Sequence, residues 1–171
     1  MKIIGFVLLL ALALAAALVV AGQLGFLSGK PPEGLGVHQG RLKPPSLTPN
    51  SVSSQAGLYA DHPQRSYAEV APFKYAGDGK AAMLRLAELL QGSERCVLVT
   101  REPAYLYAQC STRWLKFTDD VEFYLDEAAS VIHVRSASRL GQKDLGVNRA
   151  RVEALRARFG QSISSAPMLQ K

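Results

Sequence analysis

The sequence has few of the residues on which metal sites and catalytic sites most often depend. Its two cysteines, Cys96 and Cys110, are too few for a disulfide scaffold and lack the C-x-x-C spacing of zinc and thiol-exchange sites. The three histidines are scattered along the chain, at His38, His62 and His133. No G-x-S-x-G, P-loop or H-E-x-x-H motif occurs. The sequence therefore predicts neither a metal nor a cofactor.

The chain also lacks the length of a multidomain protein and the pattern of a repeat protein. Its 171 residues correspond to one domain, and its net charge of +6 permits anionic partners such as lipid headgroups or nucleic acid. No aromatic platform is interleaved with the basic residues, which argues against nucleic acid as the partner.

Charge is absent from the N-terminal segment. No charged residue occurs between Ile3 and Gly29, and this apolar run exceeds the roughly 20 residues that a helix needs to cross a membrane. We interpret residues 1–29 as a transmembrane anchor. A cleaved signal segment is the alternative, since Ala15–Ala17 and Val19–Ala21 resemble cleavage sites. The prediction is a membrane-anchored domain on the extracytoplasmic (periplasmic or lumenal) side, or else a protein secreted after cleavage.

Beyond this segment the composition divides the chain into three parts. Glycine and proline in residues 30–40 predict a linker. Residues 41–160 are predicted to form a single α+β domain, and residues 161–171 a flexible tail. Prolines are concentrated between Arg41 and Gly77, which predicts an irregular N-terminal arm wrapped over the core.

The spacing of the apolar residues predicts two helices and four strands in the domain. Helical spacing predicts one helix over Gly79–Gln91. A second helix is predicted from Leu145 or Arg149 to Phe159, with Gly160 as its stop. Strand-like runs lie between them at 95–100, 105–111, 120–126 and 131–136. Short hairpin-linked strands predict an α+β fold in which a four-stranded antiparallel sheet has two flanking helices on one face.

The register of the second hairpin follows from its apolar residues. A turn centred between Ala128 and Ala129 keeps the apolar side chains of both strands on one face. The same turn places Glu122 opposite Arg135. A slip of one residue would bring His133 among the apolar side chains, so we predict the first register.

The two cysteines fall on the first predicted hairpin. If that hairpin is centred on Pro103, Cys96 lies directly opposite Cys110, and cross-strand neighbours are within disulfide range. A disulfide would indicate an oxidising compartment. Two free thiols packed in the core are the alternative, because free cysteine behaves as a small hydrophobic residue. The residues leave both alternatives open.

Asp119 and Asp120 are the candidate catalytic residues. Adjacent carboxylates can bind a metal or share a proton in acid–base catalysis. Neighbours on a strand point to opposite faces, so these two converge only if the chain bends before the strand. The simpler interpretation is a turn cap together with cross-strand partners for arginines.

The stretch between the last predicted strand and the last helix is the candidate binding site. Its hydroxyl groups and glycines are flanked by arginines, and helix N-termini and guanidinium groups both bind anions. The candidate ligand-binding residues are Arg135, Ser136, Ser138, Arg139, Asp144, Asn148 and Arg149. In the alternative interpretation, Arg135, Arg139 and Arg149 form ion pairs with carboxylates and fasten the helix to the sheet. The carboxylates considered as their partners are Glu122, Asp119, Asp120 and Asp144.

Three stretches of the sequence are similar to one family. They are Leu35–Val37 with Pro49–Ser54, Phe117–Glu122, and Arg135–Arg139 with Asp144–Arg149. In this order and spacing they resemble the bacterial and plant family catalogued as domain of unknown function 1499, from about Leu35 to Phe159. That family has no established activity, so the resemblance implies the fold and not the function.

The sequence departs from this family at two positions. The family usually has one cysteine in the proline-rich turn before Pro49 and another directly after Asn50. Here those places hold Pro45 or Ser46, and Ser51. The resemblance therefore implies no thiol or metal chemistry for that pair.

Three function hypotheses follow, in this order. The first is a non-enzymatic, membrane-tethered envelope module whose Arg135–Arg149 loop contacts an anionic ligand or an envelope protein. The second is a hydrolase-type enzyme that uses Asp119 and Asp120. The third is a nucleic-acid binder, which would require the domain to lie in the cytoplasm.

Overall fold

The first helix projects from the rest of the chain. A computed structural model describes residues 2–164, and within them α1 (Lys2–Gln23) is the one helix with the length and composition to cross a membrane. Its side chains are exposed until the last turn, where Gly22 packs against the backbone of Leu115. One apolar helix near the N-terminus is compatible with a membrane anchor and with a signal segment.

The remaining elements form one layer of strands and one layer of helices. In chain order they are β1 (Ser51–Ser53), a 3-10 turn (Ala56–Leu58), α2 (Arg65–Ala68), β2 (Phe73–Lys74), α3 (Gly79–Gln91), β3 (Cys96–Arg101), β4 (Tyr105–Ser111), β5 (Thr118–Asp126), β6 (Val131–Ser138) and α4 (Val147–Ser164). Within residues 2–164 the six strands make one antiparallel sheet in the order β1-β6-β5-β4-β3, and β2 also pairs with β6.

The sheet has six strands where the sequence predicted four. The four predicted strands are β3 to β6, with small shifts of their ends. The additional strands, β1 and β2, belong to the proline-rich arm and pair with the edge of β6 that β5 leaves open. They have three and two residues, which is too short for a pattern of apolar residues to be visible. Pairing with β6 is what makes them strands.

The second hairpin has the predicted register, whereas the first follows a turn centred on Pro103 only from Cys96 to Leu98 and then shifts by one residue. In the second hairpin Glu122 lies opposite Arg135 and Phe123 opposite Val134, which confirms the register derived from the apolar residues. In the first hairpin Cys96 lies opposite Cys110.

Helix α4 begins between the two predicted starts and ends later than predicted. Leu145 has a φ of 53°, which is outside the helical region, and the helix begins two residues later at Val147. Gly160 lies inside α4, so the prediction that it stops the helix was wrong. A glycine stop needs a left-handed φ, and Gly160 does not have one. The predicted tail therefore begins inside α4, and residues 165–171 lie outside the described residues.

The two predicted helices, α3 and α4, cover one face of the sheet. Asp78 caps α3 by accepting the N–H of Lys80 at 2.8 Å. Beneath the helices the core contains three phenylalanine rings in edge-to-face contact, Phe73, Phe123 and Phe159. Burial of this apolar face is the main source of stability for a domain of this size.

The opposite face of the sheet is polar and is covered by the arm. We call it the polar face; it carries Tyr105, Tyr107, Asp120, Glu122 and Arg135. Gly36 N donates to Glu122 Oε1 at 2.8 Å, and Pro44 O accepts from Arg135 Nε at 3.2 Å. Part of the predicted linker, residues 30–40, is therefore bonded to the sheet.

Candidate functional site

On the polar face, Arg139 holds Asp120 in a two-pronged ion pair. Arg139 Nε donates to Asp120 Oδ2 at 2.9 Å, and Nη2 donates to Oδ1 at 2.7 Å. Tyr107 Oη donates to the same Oδ1 at 2.6 Å. The hydrogen bond to Asp120 raises the pKa of Arg139, while burial and then the bond to Asp120 raise the pKa of Tyr107. Both shifts keep the proton on the donor: Arg139 stays charged and Tyr107 stays neutral, so both can donate hydrogen bonds to Asp120.

Glu122 lies fully buried on the same face. Its Oε1 accepts from Gly36 N at 2.8 Å and from Tyr105 Oη at 2.9 Å. Its Oε2 lies 3.6 Å from Arg135 Nη1, and neither of these two atoms has a hydrogen-bond partner among the described residues. Burial lowers the pKa of Arg135, and the charge of Glu122 opposes that shift. Glu122 and Arg135 therefore attract each other through their charges without a direct hydrogen bond, and the arm shields both from solvent.

Asp119 points to the other face of the sheet, where α4 lies. Arg151 Nη2 donates to Asp119 Oδ2 at 2.5 Å. Arg151 Nη1 donates to Ser136 Oγ at 3.1 Å and to Asn148 Oδ1 at 2.9 Å. Asp119 and Asp120 therefore form separate ion pairs on opposite faces and do not converge on one point. Sequence reasoning did not identify Arg151 as the partner of Asp119.

Asp144 caps the N-terminus of α4. Its carboxylate accepts the N–H groups of Gly146 and Asn148, both at 3.0 Å, and the hydroxyl of Tyr67. Burial raises the pKa of the Asp144 carboxyl, but the hydrogen bonds from Tyr67 and Asn148 outweigh burial and hold the pKa below its usual value. The contact with Tyr67 also attaches α4 to the arm.

Asn148 is fully buried and connects α4 to β6 and to the arm. Its Nδ2 donates to Asn50 O at 3.1 Å and to Ser138 Oγ at 2.9 Å, while Ser136 Oγ donates to its Oδ1 at 2.5 Å. Arg149 donates to two backbone carbonyl groups of the arm. Each of the seven predicted ligand-binding residues thus has a partner inside the protein. We call these seven residues the clasp.

A cleft of about 700 Å³ lies between α4, the end of α3 and the β3–β4 hairpin. Among the described residues, its charged lining consists of Arg95, Arg113, Arg151, Arg158 and one carboxylate, Glu94. We call it the arginine cleft. Positive charge predominates in a concave site, and this combination concentrates anions.

The cleft arginines differ in how firmly the protein holds them. Arg151 is fixed in its ion pair with Asp119. Arg95 lies 3.8 Å from Glu94, and both side chains are at least half exposed, so this pair contributes little. Arg113 lies over the ring of Trp114, 5.0 Å from the ring centroid. Arg158 is exposed and, among the described residues, donates only to Ser93 Oγ, at 3.2 Å. Arg95, Arg113 and Arg158 are therefore better able than Arg151 to turn toward a ligand.

Sequence reasoning missed the arginine cleft. Arg151 and Arg158 are seven residues apart and share one face of α4, which is a spacing visible in the sequence. Arg95 directly precedes β3 and Arg113 follows β4, so they are distant in the sequence. Only the folded hairpin brings both of them beside that helix.

Cys96 and Cys110 form a disulfide in the wall of the arginine cleft. Of the two alternatives that the sequence left open, the structure has the disulfide, and no free cysteine is present in residues 2–164. Within that same range, no three His, Cys, Asp or Glu side chains gather closely enough to hold a metal ion.

A smaller pocket of about 330 Å³ contains a serine, a histidine and an aspartate. Ser54 Oγ lies 3.1 Å from His133 Nδ1, and His133 Nε2 lies 3.7 Å from Asp126 Oδ2. Burial lowers the pKa of His133, and Asp126 opposes the shift. Ser54 Oγ also accepts the N–H of Val134 at 2.9 Å, and 3.7 Å exceeds a hydrogen bond. The group lacks the aligned hydrogen bonds of an activated serine and joins β1 to β6 instead.

The polar face, the clasp and the arginine cleft all fall within one family match. The model of the family described as Protein of unknown function (DUF1499) matches residues 41–159. The chain belongs to this family. The DUF1499 match confirms the resemblance seen in the sequence, although it begins at residue 41 instead of about Leu35. The matched residues do not include α1. The family description assigns no activity, so the function is unknown.

Other comparisons add nothing to the DUF1499 assignment. Comparison with curated proteins gives no match, and comparison with solved structures gives none either. In this DUF1499 member, Ser46 N donates to Ser51 Oγ at 2.8 Å. Ser46, one of the two residues considered for the first cysteine position of the family, is therefore in contact with Ser51, which stands at the second.

Proposed function

We propose that this protein is a membrane-tethered, non-enzymatic module of the cell envelope that binds an anionic group in the arginine cleft. The observation that carries the proposal is a cleft of about 700 Å³ whose charged lining is mostly arginine. Clefts of this size accommodate small ligands. Guanidinium groups bind phosphate and carboxylate groups through paired hydrogen bonds.

The clasp does not have this role in the proposal. The sequence suggested an anionic ligand on the loop from Arg135 to Arg149, but the protein itself uses the guanidinium groups of that loop. Arg139 is bonded to Asp120, and its side chain is 5% exposed. Opening such a buried pair costs about 3–5 kcal/mol, which a ligand would have to offset. The neighbouring cleft offers exposed arginines without that cost.

The two candidate carboxylates support a non-enzymatic role. Asp119 and Asp120 each neutralise a different arginine, on different faces of the sheet. A hydrolase that used both would need them within hydrogen-bonding reach of one substrate. Among the described residues no aromatic side chain lines the arginine cleft, so the cleft offers no platform on which a nucleic-acid base could stack.

We also propose that α1 remains attached as an anchor. Gln23 Nε2 donates to Trp114 O at 2.9 Å, and Gly22 fits against Leu115, so the helix end is docked on the domain. A segment that is cleaved after export has no need of such a contact. The disulfide supports a domain outside the cytoplasm, because disulfides persist in oxidising compartments. Secretion after signal cleavage is the alternative.

The proposal is tested by native mass spectrometry of the full chain extracted from its own membrane. The cleft variant carries Arg95→Gln and Arg113→Gln. The control variant carries Lys80→Gln and Arg101→Gln, which removes the same charge from a different pocket. We expect the wild-type and control proteins to retain an anionic molecule that the cleft variant loses.

Two results would contradict the proposal. One is a wild-type protein that carries no anionic molecule, and the other is a cleft variant that retains as much as the wild type. Because the substituted side chains are exposed, we expect all three proteins to have the same melting temperature. That measurement separates loss of binding from loss of the fold.

A further inference from the structure

We infer that the anionic group is the phosphate of a phospholipid headgroup in the same membrane that α1 spans. The inference rests on the proposed function and adds the chemical class of the ligand and its source. It depends on where α1 leaves the domain, on which side chains are exposed there, and on what lines the cleft.

The end of the anchor helix is bonded to the rim of the arginine cleft. Gln23 Nε2 donates to Trp114 O at 2.9 Å and to Arg113 O at 3.4 Å, and Arg113 lines the cleft. The side chains of α1 are exposed until the last turn of the helix, so α1 leaves the domain at this point. A membrane surrounding α1 would lie against the turn formed by residues 112–117.

The chain that follows α1 packs at the same end of the sheet. A Cβ atom at Gly29 would lie 3.1 Å from Leu140 Cγ, and Arg139 Nη1 donates to Gly29 O at 3.5 Å. The strand registers place the 112–117 turn and the 139–146 loop side by side, because β5 begins where β4 and β6 end. We call this end of the domain, with α1 and both loops, the membrane-proximal end.

Large apolar side chains are exposed at the membrane-proximal end. Trp114 is 62% exposed and Leu145 92%, while Leu24 and Phe26, just after α1, are 69% and 77% exposed. Tryptophan is enriched where proteins meet the headgroup region of a membrane. Contact with that region would remove these side chains from water, which is favourable in proportion to their apolar area.

Basic side chains surround these apolar ones. Arg113 and Lys116 flank the residues Trp114 and Leu115 in the turn, and Lys143 lines a pocket of about 280 Å³ together with Leu145. That pocket shares Thr112 with the lining of the arginine cleft, so the two are adjacent. Anionic lipids attract basic residues that lie within a Debye length of the membrane surface.

The lining of the arginine cleft fits a lipid headgroup better than a free inorganic anion. Helix α4 contributes two exposed apolar residues, Val147 and Ala154, alongside its two arginines. A lipid phosphate would bind to the guanidinium groups, while the glycerol and the first acyl carbons would contact the apolar side chains. A free phosphate has no part that would use them.

The test uses the full chain in nanodiscs of phosphatidylcholine with a minority of phosphatidylglycerol. After the nanodisc is removed with detergent, native mass spectrometry measures the phosphatidylglycerol that stays bound. We expect retention by the wild-type protein and by the Lys80→Gln, Arg101→Gln control. The Arg95→Gln, Arg113→Gln variant should bind this lipid roughly 30-fold more weakly, since two cationic side chains are lost near an anionic surface.

The outcomes separate this inference from the proposed function. A wild-type protein that retains a soluble anion in native extracts but no phosphatidylglycerol overturns the inference and leaves the proposed function standing. A cleft variant that retains as much phosphatidylglycerol as the wild type also overturns the inference. If neither lipid nor soluble anion depends on the cleft arginines, both statements are wrong.

The orientation is tested independently with Trp114, which is the only tryptophan in the chain. Lipids brominated close to the headgroup quench the fluorescence of a tryptophan that lies at the interface. We expect quenching of the full chain in such nanodiscs and no quenching with unmodified lipid. Absence of quenching would place the membrane-proximal end away from the bilayer and overturn the inference.

Discussion

Glu122 is buried on the polar face among three groups that interact with its charge. Gly36 N and Tyr105 Oη donate to the carboxylate, and Arg135 lies 3.6 Å from it. A buried guanidinium loses its hydration, and a nearby carboxylate offsets that loss. Removing the carboxylate alone would leave Arg135 buried without its nearest counterion.

We therefore expect Glu122→Ala to lower the free energy of unfolding by about 3–5 kcal/mol. The double variant Glu122→Leu with Arg135→Met should lose less, because it removes both charges and keeps the volume filled. Thermal unfolding of the full chain in detergent, followed by circular dichroism, measures both. Equal losses in the two variants would contradict the ion-pair explanation.

At the scale of elements, the β3–β4 hairpin positions two of the four cleft arginines. Strand β3 is at the edge of the sheet and pairs with β4 alone among the described strands. The disulfide is a covalent link between these two strands in addition to their hydrogen bonds. The bonded cysteines are 14 residues apart in the chain. A cross-link that closes a loop of this length stabilises a protein by about 3 kcal/mol in the chain-entropy model.

Replacing Cys96 and Cys110 together by alanine should lower the free energy of unfolding by about 2–4 kcal/mol. A reductant should destabilise the wild-type protein by a similar amount and leave the double variant unchanged. Unfolding by urea, with and without reductant, measures both effects. A variant that is as stable as the oxidised wild type would show that the hairpin does not depend on this cross-link.

At the scale of the whole molecule, the contact between α1 and the domain determines how the domain is held relative to the membrane. Gly22 allows the helix to approach the 112–117 turn, because a Cβ atom there would lie 2.4 Å from Leu115 O. Any larger residue must push the helix away. The same helix has a second glycine, Gly5, with nothing within 4 Å of its would-be Cβ.

We expect Gly22→Val to separate α1 from the domain and to make residues 24–40 more accessible to protease. Gly5→Val is the matched control and should be cleaved at the wild-type rate. Limited proteolysis of the full chain in nanodiscs, followed by mass spectrometry, compares the three proteins. Identical cleavage of both variants and the wild type would mean that α1 is not docked in the membrane-bound protein.

Local patterns in the sequence determined much of this architecture. An uncharged run identified α1, helical spacing of apolar residues identified α3, and alternation identified β3 to β6. The register of the second hairpin was determined because the alternative would bury His133 with the apolar residues. These features share one cause: burying one face of an element imposes a period on nearby residues, and that period can be read along the chain.

The hairpin register predicted that Glu122 lies opposite Arg135, but only the tertiary structure decided the partners of Asp119 and Arg149 and where a cleft opens. The sequence allowed the clasp to be a ligand site or an internal fastening, and Asp119 was not assigned to Arg151. The short strands β1 and β2 and the arginine cleft were also invisible in the sequence. Ion pairs and clefts join side chains that are distant along the chain, so they leave no local period, and they exist only once the elements have packed.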